Sequence, residues 1–186
     1  MERRLAEVPR DAETSAGDRT WETCEALVRR YHDDLHAFAF RLVGSREDAE
    51  DALQSAYVKA LRATSRDSGP LSVNAPWLYR IVYRACVDQR RRLRRLRHDA
   101  LDEQLVAGGT ASRAAALATA LSQALLRLPA STRAAVLLVD VHGLSYDEAA
   151  DALDVPRGTI ASRLNHGRAS LRATLIEFAP NGGDDD

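Results

Sequence analysis

The sequence predicts an all-α protein made of two small helical domains joined by a flexible linker. Apolar side chains recur at helical spacing through the chain up to His98, and again from Arg113 to Phe178. Ala, Leu and Arg are abundant while aromatics make up only 5 % of residues, a balance that favours helices over sheets. Between these blocks, residues 99–112 lose the period and contain Gly108-Gly109, as a linker does. The domains are therefore expected at 19–98 and 113–178. Residues 1–18 and the acidic end 179–186 are expected to be disordered tails.

Glu22 to Val43 carries Leu27, Val28, Tyr31, Leu35, Phe38 and Leu42 as one buried stripe, and Gly44 ends it. Ser45 opens a second helix as N-cap, with Asp48 expected to close a capping box. One face of that helix is apolar (Ala49, Ala52, Leu53, Ala56, Tyr57, Ala60, Leu61). The other shows Glu50, Asp51, Gln54, Ser55, Val58 and Lys59. A polar loop from Ala63 to Pro76 leads to a third helix beginning at Trp77, which turns Leu78, Ile81, Val82, Ala85 and Val87 inward. Its aromatics, Trp77, Tyr79 and Tyr83, suit either core or stacking roles, Trp77 the core.

In the second block Ala115 to Leu128 forms an apolar helix stopped at Pro129. Ser131 is expected to cap Thr132–His142, which Gly143 ends. Ser145 and Glu148 make a capping box for a helix of barely two turns. Pro156 suits the first turn of the final helix, where its missing N–H costs nothing. Two helices joined this tightly form a helix-turn-helix that presents its second member outward. At 100° per residue, Ile160, Leu164, Leu171 and Leu175 share the core side. The opposite side offers Thr159, Ser162, Asn165 and His166, flanked by Arg157, Arg163 and Arg168, with no acid until Glu177. Hydroxyl, amide, imidazole and guanidinium groups are those that donate to base edges and phosphates.

The net charge of −1 hides an asymmetry. Between Arg80 and His98 there are eight arginines and one acid, Asp88, while acid gathers in the tails and at 45–51. A cation run of that density is either a solvated face or a phosphate-binding surface. No apolar run approaches a membrane span and the N-terminus lacks the apolar core of a signal peptide, so no membrane insertion is expected. Cys24 and Cys86 stand apart, outside any metal or CxxC pattern, and read as core thiols of a reduced, cytoplasmic protein. His32 and His36 have metal-ligand spacing but no third ligand candidate. With no P-loop and no nucleophile motif, neither catalysis, a metal nor another cofactor is expected.

Three stretches, DAEDALQSAYVKAL (48–61), PWLYRIVYRACVDQRRR (76–92) and LPASTRAAVLLVDVHGLSYDEAADALDVPRGTIASRLNHGRASLR (128–172), together resemble bacterial RNA polymerase sigma factors. Their order and the short linker resemble the two-domain extracytoplasmic-function (ECF) group of the sigma-70 family. The resemblance implies a factor that binds core RNA polymerase, through its β′ coiled coil and β flap, and directs it to a promoter subset. It implies polymerase docking by Asp48, Glu50, Asp51 and Gln54. It implies minus-ten recognition by Arg80, Tyr83, Arg84, Asp88, Arg91, Arg92 and Arg95, around a base flipped from the strand. Minus-thirty-five recognition falls to Arg157, Thr159, Ser162, Arg163, Asn165, His166 and Arg168. An anti-sigma factor is the family's usual control. Two departures bear on base preference: Arg84 stands where the family commonly has Asn, and Ala161 where it often has a cation. An autonomous helix-turn-helix regulator would leave 45–97 unexplained, and an interaction module with an Arg-rich arm would leave the recognition face unexplained.

Overall fold

The computed structural model describes residues 16–64, 73–96 and 113–176, all essentially helical. The expected linker 99–112, the C-terminal tail 179–186, most of the N-terminal tail, residues 65–72 of the expected loop, and Arg97 and His98 lie outside the described residues. Helices α1 (Ala16–Val43), α2 (Arg46–Thr64) and α3 (Ala75–Leu96) form an N-terminal unit. Helices α4 (Arg113–Arg127), α5 (Ala130–Val136), α6 (Tyr146–Leu153) and α7 (Arg157–Thr174) form a C-terminal one. Leu35, Phe38, Ala39 and Leu42 of α1 bury against Ala49, Ala52, Leu53 and Ala56 of α2 and Leu78, Val82 and Ala85 of α3. Alanines along α2 let the helices approach closely, which is why so few aromatics suffice. Cys24 and Cys86 are buried free thiols, and burial pushes Cys86 up to about 12.

Helix ends follow local chemistry, with corrections. Gly44 takes φ 89° and its N–H donates to the Phe40 carbonyl, ending α1 as expected. That helix starts at Ala16, inside the stretch expected to be a tail. Its first turns carry no apolar stripe by which periodicity would find them. Ser45 makes only half a box: its Oγ accepts weakly from the Asp48 N–H, while the Asp48 carboxylate accepts from Gln89 of α3. Helix α3 begins two residues early because Asn74 Oδ1 accepts the Trp77 N–H at 2.9 Å, leaving Pro76 in the first turn. Ser131 is not a cap: α5 starts at Ala130, with Pro129 in the capping position and no side-chain bond. Pro156 stands one residue ahead of α7, and α7 ends at Thr174 rather than reaching Phe178.

After Val136 the α5 helix widens into a π-helical turn, Leu137–Val141, closed by His142 N–H donating to the Leu137 carbonyl at 3.0 Å. Gly143, at φ 70°, then lets the Leu144 N–H reach back to Leu138.

The C-terminal unit packs α5 across α7. Ile160, Leu164 and Gly167 form the buried stripe of α7. A Cβ on Gly167 would lie 2.7 Å from Val136 Cγ2 and 3.1 Å from Thr132 Cγ2, so only glycine allows this crossing.

Candidate nucleic-acid interface

The corner between α6 and α7 is built from caps. Ser145 Oγ accepts the Glu148 N–H at 3.2 Å and the Ser145 N–H donates to Glu148 Oε2 at 2.8 Å, a complete capping box. The Ser145 N–H and hydroxyl, both donating to Glu148 Oε2, hold that carboxyl below its usual range. Asp154 ends α6 in the left-handed region at φ 55°, a conformation short polar side chains tolerate, and Val155 N–H returns to the Ala150 carbonyl. The corner thus aims α7 outward.

On α7, Arg157, Ser162, Asn165 and His166 are exposed, and Thr159 and Arg163 half-buried. Ser162, Asn165 and His166 therefore share an accessible face with Thr159 and Arg163 at its edge, while two of the flanking cations, Arg157 and Arg168, are already engaged. Arg157 lies 3.3 Å from Asp147 and over the Tyr146 ring. Arg168 makes a forked ion pair with Asp140 of the π turn, which raises its pKa further. Arg168 thus seats α7 on the π turn.

At 100° per residue the α3 candidates Arg80, Arg91, Arg84, Arg95, Asp88 and Arg92 follow one another around about 120° of a single face, with Asp88 and Arg92 at its edge beside α2. Asp88 pairs with Lys59 of α2 at 3.1 Å. Tyr83 is half-buried. Tyr79 is only 2 % exposed, edge-on to Phe38 with centroids 5.4 Å apart, so it belongs to the core and cannot stack on a base. Arg80 and Arg84 face the other unit. Arg80 Nε donates to the Asp151 carbonyl at 2.7 Å, and Arg84 Nη2 to Asp154 Oδ2 at 3.0 Å.

Glu50, Asp51 and Gln54 are exposed on α2, and Asp51 and Gln54 line a groove toward α3 together with Val58, Lys59 and Arg92. Asp48 is half-buried and, with Asp51, accepts from Gln89 Nε2. Asp48 therefore holds α2 on α3. His32 and His36 diverge, to the Tyr57 hydroxyl and toward Glu50. Among the described residues no group of three or more His, Cys, Asp or Glu could hold a metal, and no helix is long and apolar enough to cross a membrane.

Arg133 was not singled out by sequence. It is 2 % exposed, and its guanidinium donates to the Leu42 carbonyl of α1 at 2.6 Å, to Leu128 at 3.0 Å and to Leu126. It joins the C-terminal ends of α1 and α4, where unpaired carbonyls and the helix dipoles attract a cation.

Residues 27–96 match the family model Sigma-70 region 2, and residues 118–171 match Sigma-70, region 4. The chain is 39 % identical over 168 residues to the ECF RNA polymerase sigma factor SigM of Mycobacterium tuberculosis, covering 90 % of this chain and 83 % of that one. It is 33 % identical over 159 residues to the ECF RNA polymerase sigma-E factor of Escherichia coli, covering 78 % and 82 %. Among solved structures it resembles the sigma factor RpoE of Bartonella quintana in complex with the anti-sigma factor NepR. That match has a TM-score of 0.69 at 28 % identity, over 82 % of this chain and 96 % of that one.

Proposed function

The chain belongs to the sigma-70 family, among the ECF RNA polymerase sigma factors, and from that premise we propose how its surfaces divide the work of promoter-directed initiation. Helix α2 docks on the polymerase β′ coiled coil through Glu50, Asp51 and Gln54, with Asp48 as their support. The Arg80–Arg84–Arg91–Arg95 stripe of α3 carries the melted minus-ten strand, with Tyr83 beside it and Arg92 at its edge, while Asp88 orients Lys59. Helix α7 reads the minus-thirty-five duplex through Ser162, Arg163, Asn165 and His166, with Arg157 and Thr159 at its start and Arg168 as its seat. The β flap receives the C-terminal unit. Residues 19–98 and 113–178 are the working units, and 99–112 sets their reach. The factor acts in the bacterial cytoplasm by binding rather than catalysis. An anti-sigma factor controls it, a reading supported by the NepR-bound relative.

The separation of charge carries this division. The exposed face of α2 is acidic and amide-bearing and would repel phosphate. The α3 face carries five guanidiniums around a single acid, Asp88, which Lys59 pairs, and α7 has no acid along its length. The test pairs two variants in run-off transcription with core polymerase. Asp51→Arg lowers polymerase affinity while melting stays within about 0.5 kcal/mol, as for surface changes generally. Unchanged melting together with unchanged polymerase binding removes the docking assignment. Arg163→Ala costs about 1–3 kcal/mol of discrimination at one minus-thirty-five position. If every promoter variant loses equally, Arg163 is a phosphate anchor and base reading passes to Ser162, Asn165 or His166.

A further inference from the structure

The two units are closed on each other, and the part of the C-terminal unit lying on α3 is the helix-turn-helix corner. Arg80 and Arg84 hold a backbone carbonyl and a carboxylate from that corner, Asp151 O and Asp154 Oδ2. These are anionic or strongly polar oxygens, the kind a phosphodiester strand offers to guanidinium. Arg133 also donates across the interface to the Leu42 carbonyl, but two buried polar atoms there are left without a partner. His142, its side chain 4 % exposed, lies against the rings of Tyr79 and Phe38, with centroids 5.3 and 5.8 Å away. Its Nε2 and Arg133 Nε are buried with no hydrogen-bond partner. Arg90 of α3 repels Arg133, whose pKa burial and that charge bring down to about 10. Orphaned buried donors and acceptors are rare in permanent interfaces because each forfeits its hydration. Separation of the units would return water to both.

We propose that the closed arrangement is an autoinhibited state in which Asp154 and the Asp151 carbonyl occupy, on Arg80 and Arg84, the place of the promoter strand. Corner and strand then compete for the same two guanidiniums, and initiation requires the units to part. This rests on the reading of α3 as the strand-carrying helix.

The test uses the full chain and a dye-labelled oligothymidylate of about a dozen nucleotides, within the span such sites cover. Asp154→Asn keeps a residue that tolerates the left-handed backbone and removes the carboxylate. Asp33→Asn, on the exposed side of α1, controls for the change in net charge. The pair is solvent-exposed, so Asp154→Asn should tighten oligonucleotide binding by about two- to five-fold over Asp33→Asn. The gain should vanish in an Arg84→Ala background, and solution scattering should show a larger radius of gyration for Asp154→Asn than for the parent. A gain equal to that of Asp33→Asn, a gain that survives Arg84→Ala, or a parent chain whose units are already apart in solution overturns the proposal. Initiation with core polymerase separates the two readings. If Arg84→Ala impairs it while Asp154→Asn changes nothing, autoinhibition alone fails. If Arg84→Ala leaves both initiation and oligonucleotide binding intact, the strand-carrying role fails with it.

Discussion

Helices α3 and α7 both present arginines to be read as nucleic-acid contacts, yet they spend them differently. The engaged cations of α7, Arg157 and Arg168, pair within their own unit, with Asp147 and Asp140, and leave Ser162, Asn165 and His166 open. Those of α3 reach across to the other unit, at Asp151 and Asp154. One surface is preformed and the other is engaged at Arg80 and Arg84. A helix-turn-helix stiffened by internal ion pairs can meet duplex DNA without rearranging, whereas a surface for single-stranded DNA is useful only once the duplex has opened.

The comparison breaks most completely at Arg133. Arg133→Ala removes three hydrogen bonds to carbonyls and strands those acceptors in a buried site. The expected loss is about 3 kcal/mol of stability, read by denaturant unfolding, together with loss of closure. Unfolding that matches the parent would mean that the carbonyls find water and that Arg133 is dispensable. Next in size is Gly167→Ala. The added Cβ meets Val136 and Thr132 at the crossing of α5 and α7, and overpacking of that kind costs about 2 kcal/mol. It should impair minus-thirty-five-dependent initiation without altering any residue of the exposed face, and melting of the variant checks it.

The smallest effect sharpens the comparison through pH. Burial lowers the pKa of His142 below 6.5; the Asp34 carboxylate, 4.0 Å away, opposes this and Arg41 reinforces it. The remaining neighbours in contact, Phe38 of α1 and Tyr79 of α3, are uncharged rings. A group whose pKa falls on closure favours closure above its ordinary value, and stops doing so as pH drops through that value toward the lowered one. Acidification below 6.5 should therefore enlarge the radius of gyration of the free chain. His142→Gln should flatten that dependence. A parent profile already flat down to pH about 5 would show that His142 does not report on closure.

Local signals were legible in the chain. The apolar stripes of α1, α2 and α7, the glycine stops at 44 and 143, and the Ser145–Glu148 box all follow from contacts within a few residues, and each is where the sequence predicts it. The exposed face of α7 follows from the same arithmetic. What escaped depends on distant chain. Arg133, in a run reading STRAAVLLV, looks like a surface cation until the end of α1, 91 residues away, supplies its acceptor. Gly167 looks like an ordinary helix weakness until α5 crosses it. The α3 stripe could be counted, but not its cover, because nothing between 80 and 97 encodes a carboxylate 70 residues on.

The wide turn at Leu137–Val141 settles which of two neighbouring side chains becomes the inward one. Wound at 3.6 residues per turn, the helix would bring Val141 over buried Leu137 and swing His142 away by roughly a quarter turn. With one more residue in the turn, Val141 is left 50 % exposed and the imidazole is carried in against Phe38 and Tyr79. A purely α-helical winding would set an aliphatic side chain where the imidazole now meets those rings. The extra residue in the coil places an imidazole in the seam between the units instead, against the aromatic rings of α1 and α3.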